Sequence, residues 1–169
     1  MKPKFCPKCG GELKLKNIDE DNVLVCVDCG YRFYRNSKPT VGAIITNDKN
    51  QVLMIRRKTE KLNGLWSVPG GYLENGEDPA TGLKRETKEE IGVVIDVGDI
   101  VSFEIENDPW ALFVNSYVLD IQFKSNIVSG KPKPLHEVSE IAWFSKDEIP
   151  WKKIAFAGVK KALKIIDNP

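Results

Sequence analysis

GYLENGEDPATGLKRETKEEIGV, running from Gly71 to Val93, is the stretch on which the reading of this chain turns. Asp78 has the side chain of a helix N-cap, Pro79 suits the first helical turn, and Gly92 supplies a C-terminal stop, so the spacing predicts a helix over 79–91. On that helix Glu86 and Glu90 stand four residues apart and Glu89 three from Glu86, which places three carboxylates at neighbouring positions on one face. Like charges so placed repel one another, and a divalent cation removes that penalty. Hard oxygen donors with no His or Cys nearby point to Mg²⁺ or Mn²⁺ rather than zinc. A solvated helix face, with Lys84, Arg85 and Lys88 pairing with nearby acids, is the plainer reading of the same residues.

Outward from the helix, Leu65 to Tyr72 reads as an extended segment closed by the turn Pro69-Gly70-Gly71. Before it, Val41–Thr46 and Gln51–Arg56 flank Asn47-Asp48-Lys49-Asn50 and predict a β-hairpin. After it, the runs 93–97, 100–105, 113–123 and 140–144 read as strands, with a Pro-rich loop at 131–134. From about Lys152 to Ile166, Ala155, Val159, Ala162, Leu163 and Ile166 recur at helical spacing and predict a core-facing helix. Strands alternating with helices make this a mixed α/β protein.

All four cysteines fall in the first 29 residues, as Cys6-x-x-Cys9 and Cys26-x-x-Cys29 with 16 residues between the pairs, and Gly10 and Gly30 follow them. This is the spacing of a four-cysteine zinc ribbon, in which glycines serve the tight turn of a metal knuckle. Unligated thiols or a redox pair are the alternatives. Four thiolates leave no open coordination position, so the expected role of Zn²⁺ is structural rather than catalytic. The strand-like runs 13–15 and 23–25 flank a polar centre at 17–22, and Arg35 to Pro39 reads as a linker, which divides the chain into a ribbon at 1–35 and a larger domain at 36–169.

Composition narrows the classes further. With 41% hydrophobic and 29% charged residues and a formal net charge of +1, the chain reads as a globular domain, without the basicity of a nucleic-acid or membrane binder. The first 40 residues carry eight Lys or Arg against five Asp or Glu, a weak excess. No apolar run approaches the roughly 20 residues of a bilayer span, and no apolar stretch precedes Cys6, so a cytoplasmic location is the expectation.

The whole of 71–93 resembles the Nudix box, matching it at Gly71, Glu77, Arg85, Glu86, Glu89, Glu90 and Gly92. Thr87 departs from it, standing where the family usually has an aliphatic residue. The resemblance implies an α/β/α sandwich with a mixed sheet, in which Glu86, Glu89 and Glu90, helped by a backbone carbonyl near Gly70 or Gly71, hold the metals. It also implies that Arg85 and Glu77 pair to orient the cluster, and that the enzyme hydrolyses a pyrophosphate. A general base from outside the box is expected among Glu137 and Glu140, with Glu104 and Glu106 behind them.

A zinc ribbon ahead of such a box is similar to two subgroups, NADH pyrophosphatases and a group like the plant FAD and ADP-ribose pyrophosphatases. The first carries Ser-Gln-Pro-Trp-Pro-Phe-Pro, of which residues 106–112 here keep only Pro109-Trp110. The second matches at residues 5–11, Val41-Gly42-Ala43, Gly64-Leu65-Trp66, residues 71–74 and Ile154-Ala155-Phe156, and Pro109 falls where ADP-ribose hydrolases tend to carry proline. ADP-ribose or FAD is therefore the expected substrate, with release of AMP, and NADH the alternative. Trp66, Tyr72, Phe103 and Trp110 are candidates to stack on a base or flavin, although core packing is the commoner use of aromatics. Arg56 and Arg57 are candidates for phosphate, and the lone His136 reads as a loop residue. A small nucleotide is the expected partner, a homodimer is open, and a ribbon binding nucleic acid beside a degenerate hydrolase fold is the reading from another class.

Overall fold

The computed structural model describes residues 3–111 and 116–166, which fall into two compact units. The first takes in the described residues up to Ser37, together with 107–111 and 116–117; the second takes in 38–106 and 118–166.

In the first unit β1 (Leu13–Ile18), β2 (Asp21–Cys26) and β3 (Arg32–Phe33) form a sheet in that order. β1 and β2 pair from Leu13↔Cys26 to Ile18↔Asp21, so the polar stretch expected between two short runs is mostly strand. Asp19 and Glu20 alone make the turn, at φ 50° and 73°, the left-handed pair whose twist matches that of a hairpin. The buried cluster is small: Cys6, Leu13, Leu24 and Cys26, with Phe33 against it.

In the second unit β4 (Lys38–Ile45) lies between β7 (Gly70–Tyr72) and β9 (Tyr117–Ser129) in a four-stranded sheet completed by β8 (Val94–Asn107). β4 runs antiparallel to β7 and parallel to β9, which makes the sheet mixed. A three-stranded sheet places β5 (Val52–Arg57) between β6 (Trp66–Ser67) and β10 (Val138–Phe144), antiparallel to both. Alternate residues of β4 and β5 enter different cores. Val41, Ala43, Ile45, Leu53 and Ile55 pack with Leu83 and Ile91 of α1 (Pro79–Ile91), whereas Ile44, Val52 and Met54 pack with Val159, Ala162 and Leu163 of α2 (Ala157–Ile166). β4 and β5 are thus buried on both faces, with a helix on either side, an α/β/α arrangement.

Several local expectations change for the same reason. The chain does reverse at Asn47–Asn50, and Thr46 bridges Val52, but β4 and β5 then part into different sheets. Two strands that are apolar on both faces each take partners on either side rather than remain a hairpin. The Pro-Gly-Gly segment is no turn: it carries the chain from β6 in one sheet to β7 in the other. Gly70, at φ 149°, lies so close to Val41 that a Cβ would run into its carbonyl oxygen. β4 already begins inside the expected linker, with Pro39 opposite Leu119 near its start. The expected strands 93–97 and 100–105 are one strand, β8. Of the expected strand 113–123, residues 113–115 lie outside the described residues and β9 starts at Tyr117. The final helix starts at Ala157 because Ile154 bridges Trp66 in extended backbone and the Ala155 N–H donates to the Trp66 carbonyl at 2.8 Å, which keeps both out of the helix.

Helix α1 follows its local signals. Asp78 Oδ1 accepts from the N–H groups of Ala80 and Thr81 at 3.1 and 3.0 Å, Pro79 opens the helix, and Gly92 closes it in the left-handed region at φ 71°.

Candidate active site

Arg85 is the hub of the helix face. Its Nε and Nη2 donate to the two oxygens of Glu77, both at 2.9 Å, Nη1 donates to Glu86 Oε1 at 2.8 Å and to Glu89 Oε2 at 3.4 Å, and Nη2 also reaches the Tyr72 carbonyl at 3.0 Å. The bidentate pairing fixes the guanidinium plane and holds the Glu77 carboxyl below its usual range. Glu86 is thereby drawn against the start of β7: a Cβ on Gly71 would come within 2.6 Å of both its carboxylate oxygens. Glycine at 71 leaves the room that this carboxylate occupies.

Glu90 sits deeper, only 5% exposed. Its Oε1 accepts from Arg57 Nη1 at 2.7 Å and its Oε2 from the Gly70 N–H at 2.8 Å, while Arg57 Nη2 donates to the Gly70 carbonyl at 2.9 Å. Burial nevertheless pushes the Glu90 carboxyl up to about 7, against the pull of Arg57, and burial also raises Glu86. Glu89 is the exposed member of the three. A buried and a half-buried carboxyl beside a backbone carbonyl form a hard oxygen donor set that suits Mg²⁺ or Mn²⁺, whose charge favours the ionised forms.

The remaining candidates divide. The loop between β9 and β10 closes the end of the ligand helix, since the N–H groups of Lys133 and Leu135 donate to the carbonyls of Ile91 and Glu90 at 3.1 and 3.0 Å. That loop brings Glu137 into electrostatic range of Glu90. Glu140, by contrast, is opposite Arg56 across the β5–β10 ladder and pairs with its Nη1 at 3.1 Å. Glu104 pairs with Lys161 at 2.9 Å, and Glu106 accepts from the N–H groups of Ala157 and Gly158 at the start of α2, so both are engaged with that helix. His136 is an exposed loop residue at φ 42° beside Glu89 in an open groove along α1.

Trp66, expected at the substrate, is instead a core residue: it is 7% exposed and meets Phe144 edge-on at 4.9 Å. Arg56 lies over its ring at 6.0 Å. Tyr72 is half-buried beneath the Lys38 ammonium, 5.4 Å from the ring centre, and Phe103 is well exposed on β8. Trp110 belongs to the first unit, on a turn where its N–H donates to Asp108 Oδ1 at 2.9 Å. The role of Arg57 is the one that sequence reasoning missed. Arg56 and Arg57 look equivalent as a doublet, yet successive strand residues face opposite ways, and Arg57 continues the row of Leu53 and Ile55 toward α1.

The cysteines of the first unit converge. Their four sulfurs lie within 4.8 Å of one another, with Cys9–Cys26 at 3.5 Å and Cys6–Cys29 at 3.7 Å. Both knuckles close in the same way, the N–H of Gly10 and of Gly30 donating to the carbonyl of Cys6 and of Cys26, with φ 79° and 70° at the two glycines. The backbone N–H groups of Cys29 and then Asp28 draw the Cys26 thiol down to about 7, toward the thiolate that ligates a metal. Four sulfurs at these separations suit a tetrahedral zinc.

Comparison with known proteins matches residues 36–164 to the NUDIX domain. The chain belongs to the Nudix family. The NAD-capped RNA hydrolase NudC of Vibrio atlanticus (strain LGP32) is 33% identical over 148 residues, 87% of this chain and 51% of that protein. The ADP-ribose pyrophosphatase of Methanocaldococcus jannaschii is 30% identical over 128 residues, 75% of this chain and 71% of that one. A crystal structure of a Nudix hydrolase from Nitrosomonas europaea superposes with a TM-score of 0.80 at 28% identity, covering 98% of this chain and 92% of that one. The chain spans about half the length of the NudC relatives. In the Nudix frame Thr87 loses its oddity: it is fully buried in place of an aliphatic residue, and its hydroxyl donates to the carbonyls of Leu83 and Lys84 at 3.0 and 3.1 Å.

Proposed function

We propose that the protein hydrolyses the pyrophosphate of a nucleoside diphosphate joined to a second moiety, with ADP-ribose or FAD as substrate and AMP as a product. The observation that carries this is the meeting of Glu86 and Glu90 with the Gly70–Gly71 backbone, a donor set for divalent cations built by the fold itself. Mg²⁺ or Mn²⁺ bound by Glu86, Glu89, Glu90 and the Gly70 carbonyl would neutralise phosphate charge and lower the pKa of an attacking water. The chain's own residues do the positioning. Arg85 and Glu77 fix Glu86, Arg57 and the Gly70 N–H fix Glu90, and Glu137 is favoured as base because its charge is felt at Glu90, whereas Glu140 is engaged by Arg56. Tyr72 and Arg56 are the remaining second-unit candidates for substrate contact, and Trp110 the first-unit one.

The ribbon at 1–35 is proposed to hold one structural Zn²⁺ through Cys6, Cys9, Cys26 and Cys29, and residues 36–169 to form the hydrolase domain. None of the described helices is long and apolar enough to cross a membrane, and a cytoplasmic location is proposed with it. A second reading, hydrolysis of NADH or of an NAD cap on RNA, is favoured by the similarity to NudC relatives over 87% of the chain. Residues 106–112 lack most of the NADH pyrophosphatase motif and weigh against it.

The deciding experiment follows product formation from ADP-ribose, FAD, NADH, diadenosine polyphosphates and an NAD-capped oligonucleotide with Mg²⁺ and with Mn²⁺. The expected result is release of AMP from ADP-ribose or FAD, lost by about a hundredfold or more in Glu86→Gln and Glu90→Gln. Full activity in both variants sinks the assignment of the helix. Preference for NADH or the capped oligonucleotide replaces the first reading with the second.

A further inference from the structure

Arg57 stands between two groups that the metal reading needs, and its contacts join them into one rigid unit. One prong of the guanidinium reaches the Glu90 carboxylate on α1 at 2.7 Å and the other the Gly70 carbonyl on β7 at 2.9 Å, while the Gly70 N–H closes the ring on the second oxygen of Glu90 at 2.8 Å. The side chain is buried, and its remaining donor, Nε–H, has no hydrogen-bond partner among the described residues. An arginine serving only to neutralise a buried carboxylate is under no constraint to leave a donor unmade. Here the guanidinium is held by the separation of its two acceptors.

Lone-pair counting shows that the arrangement leaves both acceptors competent. A carboxylate offers about four acceptor sites and a carbonyl two. Glu90 uses two and the Gly70 carbonyl one for the bonds just described, so each keeps capacity for an ion. The charge of Arg57 also reaches Glu86, the half-buried carboxylate of the face.

We propose that Arg57 is a positioning residue for the divalent metal: its two-pronged donation sets the distance and orientation between the Glu90 carboxylate and the Gly70 carbonyl, and so tunes metal affinity without touching the ion. This rests on the metal reading of the Nudix helix. Planar, forked donation is the property that separates Arg from Lys, since an ammonium supplies the same charge as a point with no fixed fork. Partners of metal ligands placed in this way typically change affinity 10- to 100-fold when removed.

The test uses the full chain, zinc-loaded and freed of other divalent ions, and compares wild type with Arg57→Lys. Mn²⁺ is titrated onto substrate-free protein, thermal unfolding is followed in the same state, and hydrolysis is measured across Mn²⁺ concentrations. The expected result is a Mn²⁺ Kd raised about 10- to 100-fold in Arg57→Lys, with cooperative unfolding retained and kcat recovering as Mn²⁺ approaches saturation. An unchanged Mn²⁺ Kd overturns the proposal and reduces Arg57 to a counter-charge. A raised substrate KM at unchanged Mn²⁺ Kd overturns it too, and makes Arg57 a substrate contact. If Arg57→Lys does not fold, Arg57→Gln, which keeps a donor without the charge or the fork, carries the same comparison. Absence of saturable Mn²⁺ binding in the wild type brings down the metal reading itself, an outcome distinct from the other two.

Discussion

The two clusters of ligand-type residues are assembled by opposite means. In the first unit the sulfurs belong to the core itself: Cys6 and Cys26 are half of a four-residue buried cluster, in a segment too small to bury much else. In the second unit the carboxylates are mounted on a helix that already packs Leu83 and Ile91 into an eleven-residue buried cluster, and they are aimed by Arg85 and Arg57. A metal in the first place would supply folding free energy. In the second, the fold supplies the site and a metal would add chemistry.

The sharpest way to break this contrast is to remove the metals separately. Structural zinc contributes on the order of 10–16 kcal/mol to folding in zinc-finger peptides, so Cys26→Ser, or a strong zinc chelator, is expected to unfold the first unit. Limited proteolysis should then cut within residues 3–37 while the second unit survives. Withdrawal of Mg²⁺ or Mn²⁺ should abolish hydrolysis with little change in the unfolding temperature. Equal sensitivity of both units to both treatments would dissolve the distinction.

A smaller effect probes how much strain the second unit's framework bears. Asp120 is buried beneath α2, where burial pushes its carboxyl up to about 6, with Glu106 adding to the rise and Gln122 and Thr40 opposing it through hydrogen bonds. A carboxyl raised on folding contributes stability that is fully present below its unfolded pKa and is lost as pH rises through the folded value. Wild type should therefore lose about 2 kcal/mol relative to Asp120→Asn between pH 4 and pH 7, most of what a shift of about two units supplies. Denaturant unfolding at the two pH values measures this, and parallel stability curves for the two proteins would refute it.

The smallest expected effect is at Thr87. Among the described residues its hydroxyl bonds only to its own helix, so Thr87→Val should change unfolding free energy by less than about 1 kcal/mol and leave activity intact. A large loss would mean that the hydroxyl supports the ligand face after all.

What could be read from sequence follows how local each cause is. The caps of α1 and the cysteine knuckles are set by residues within a few positions of each other, and Asp78, Gly92, Gly10 and Gly30 act where their spacing placed them. The departure of β4 and β5 into separate sheets depends on partners 80 to 92 residues away, which no turn signal at Asn47–Asn50 carries. Trp66 was ambiguous because an aromatic that binds a base and one that fills a core have the same composition. Arg57 differs again. The two-residue period of β5 sets Arg56 and Arg57 on opposite faces, but with both faces apolar only the packing of α1 decides which of them meets Glu90.

The loop that covers the end of α1 limits how this domain can be re-engineered. Residue 90 is tied by its side chain to β5 and β7 and by its carbonyl to Leu135, so four segments of chain are anchored at one position. The spacing between Lys133 and Leu135 is therefore a fixed gauge. Loop exchanges intended to alter specificity can vary residues around His136 but have to keep that gauge, because a deletion between Gly130 and Leu135 would be transmitted as tension to the ligand helix.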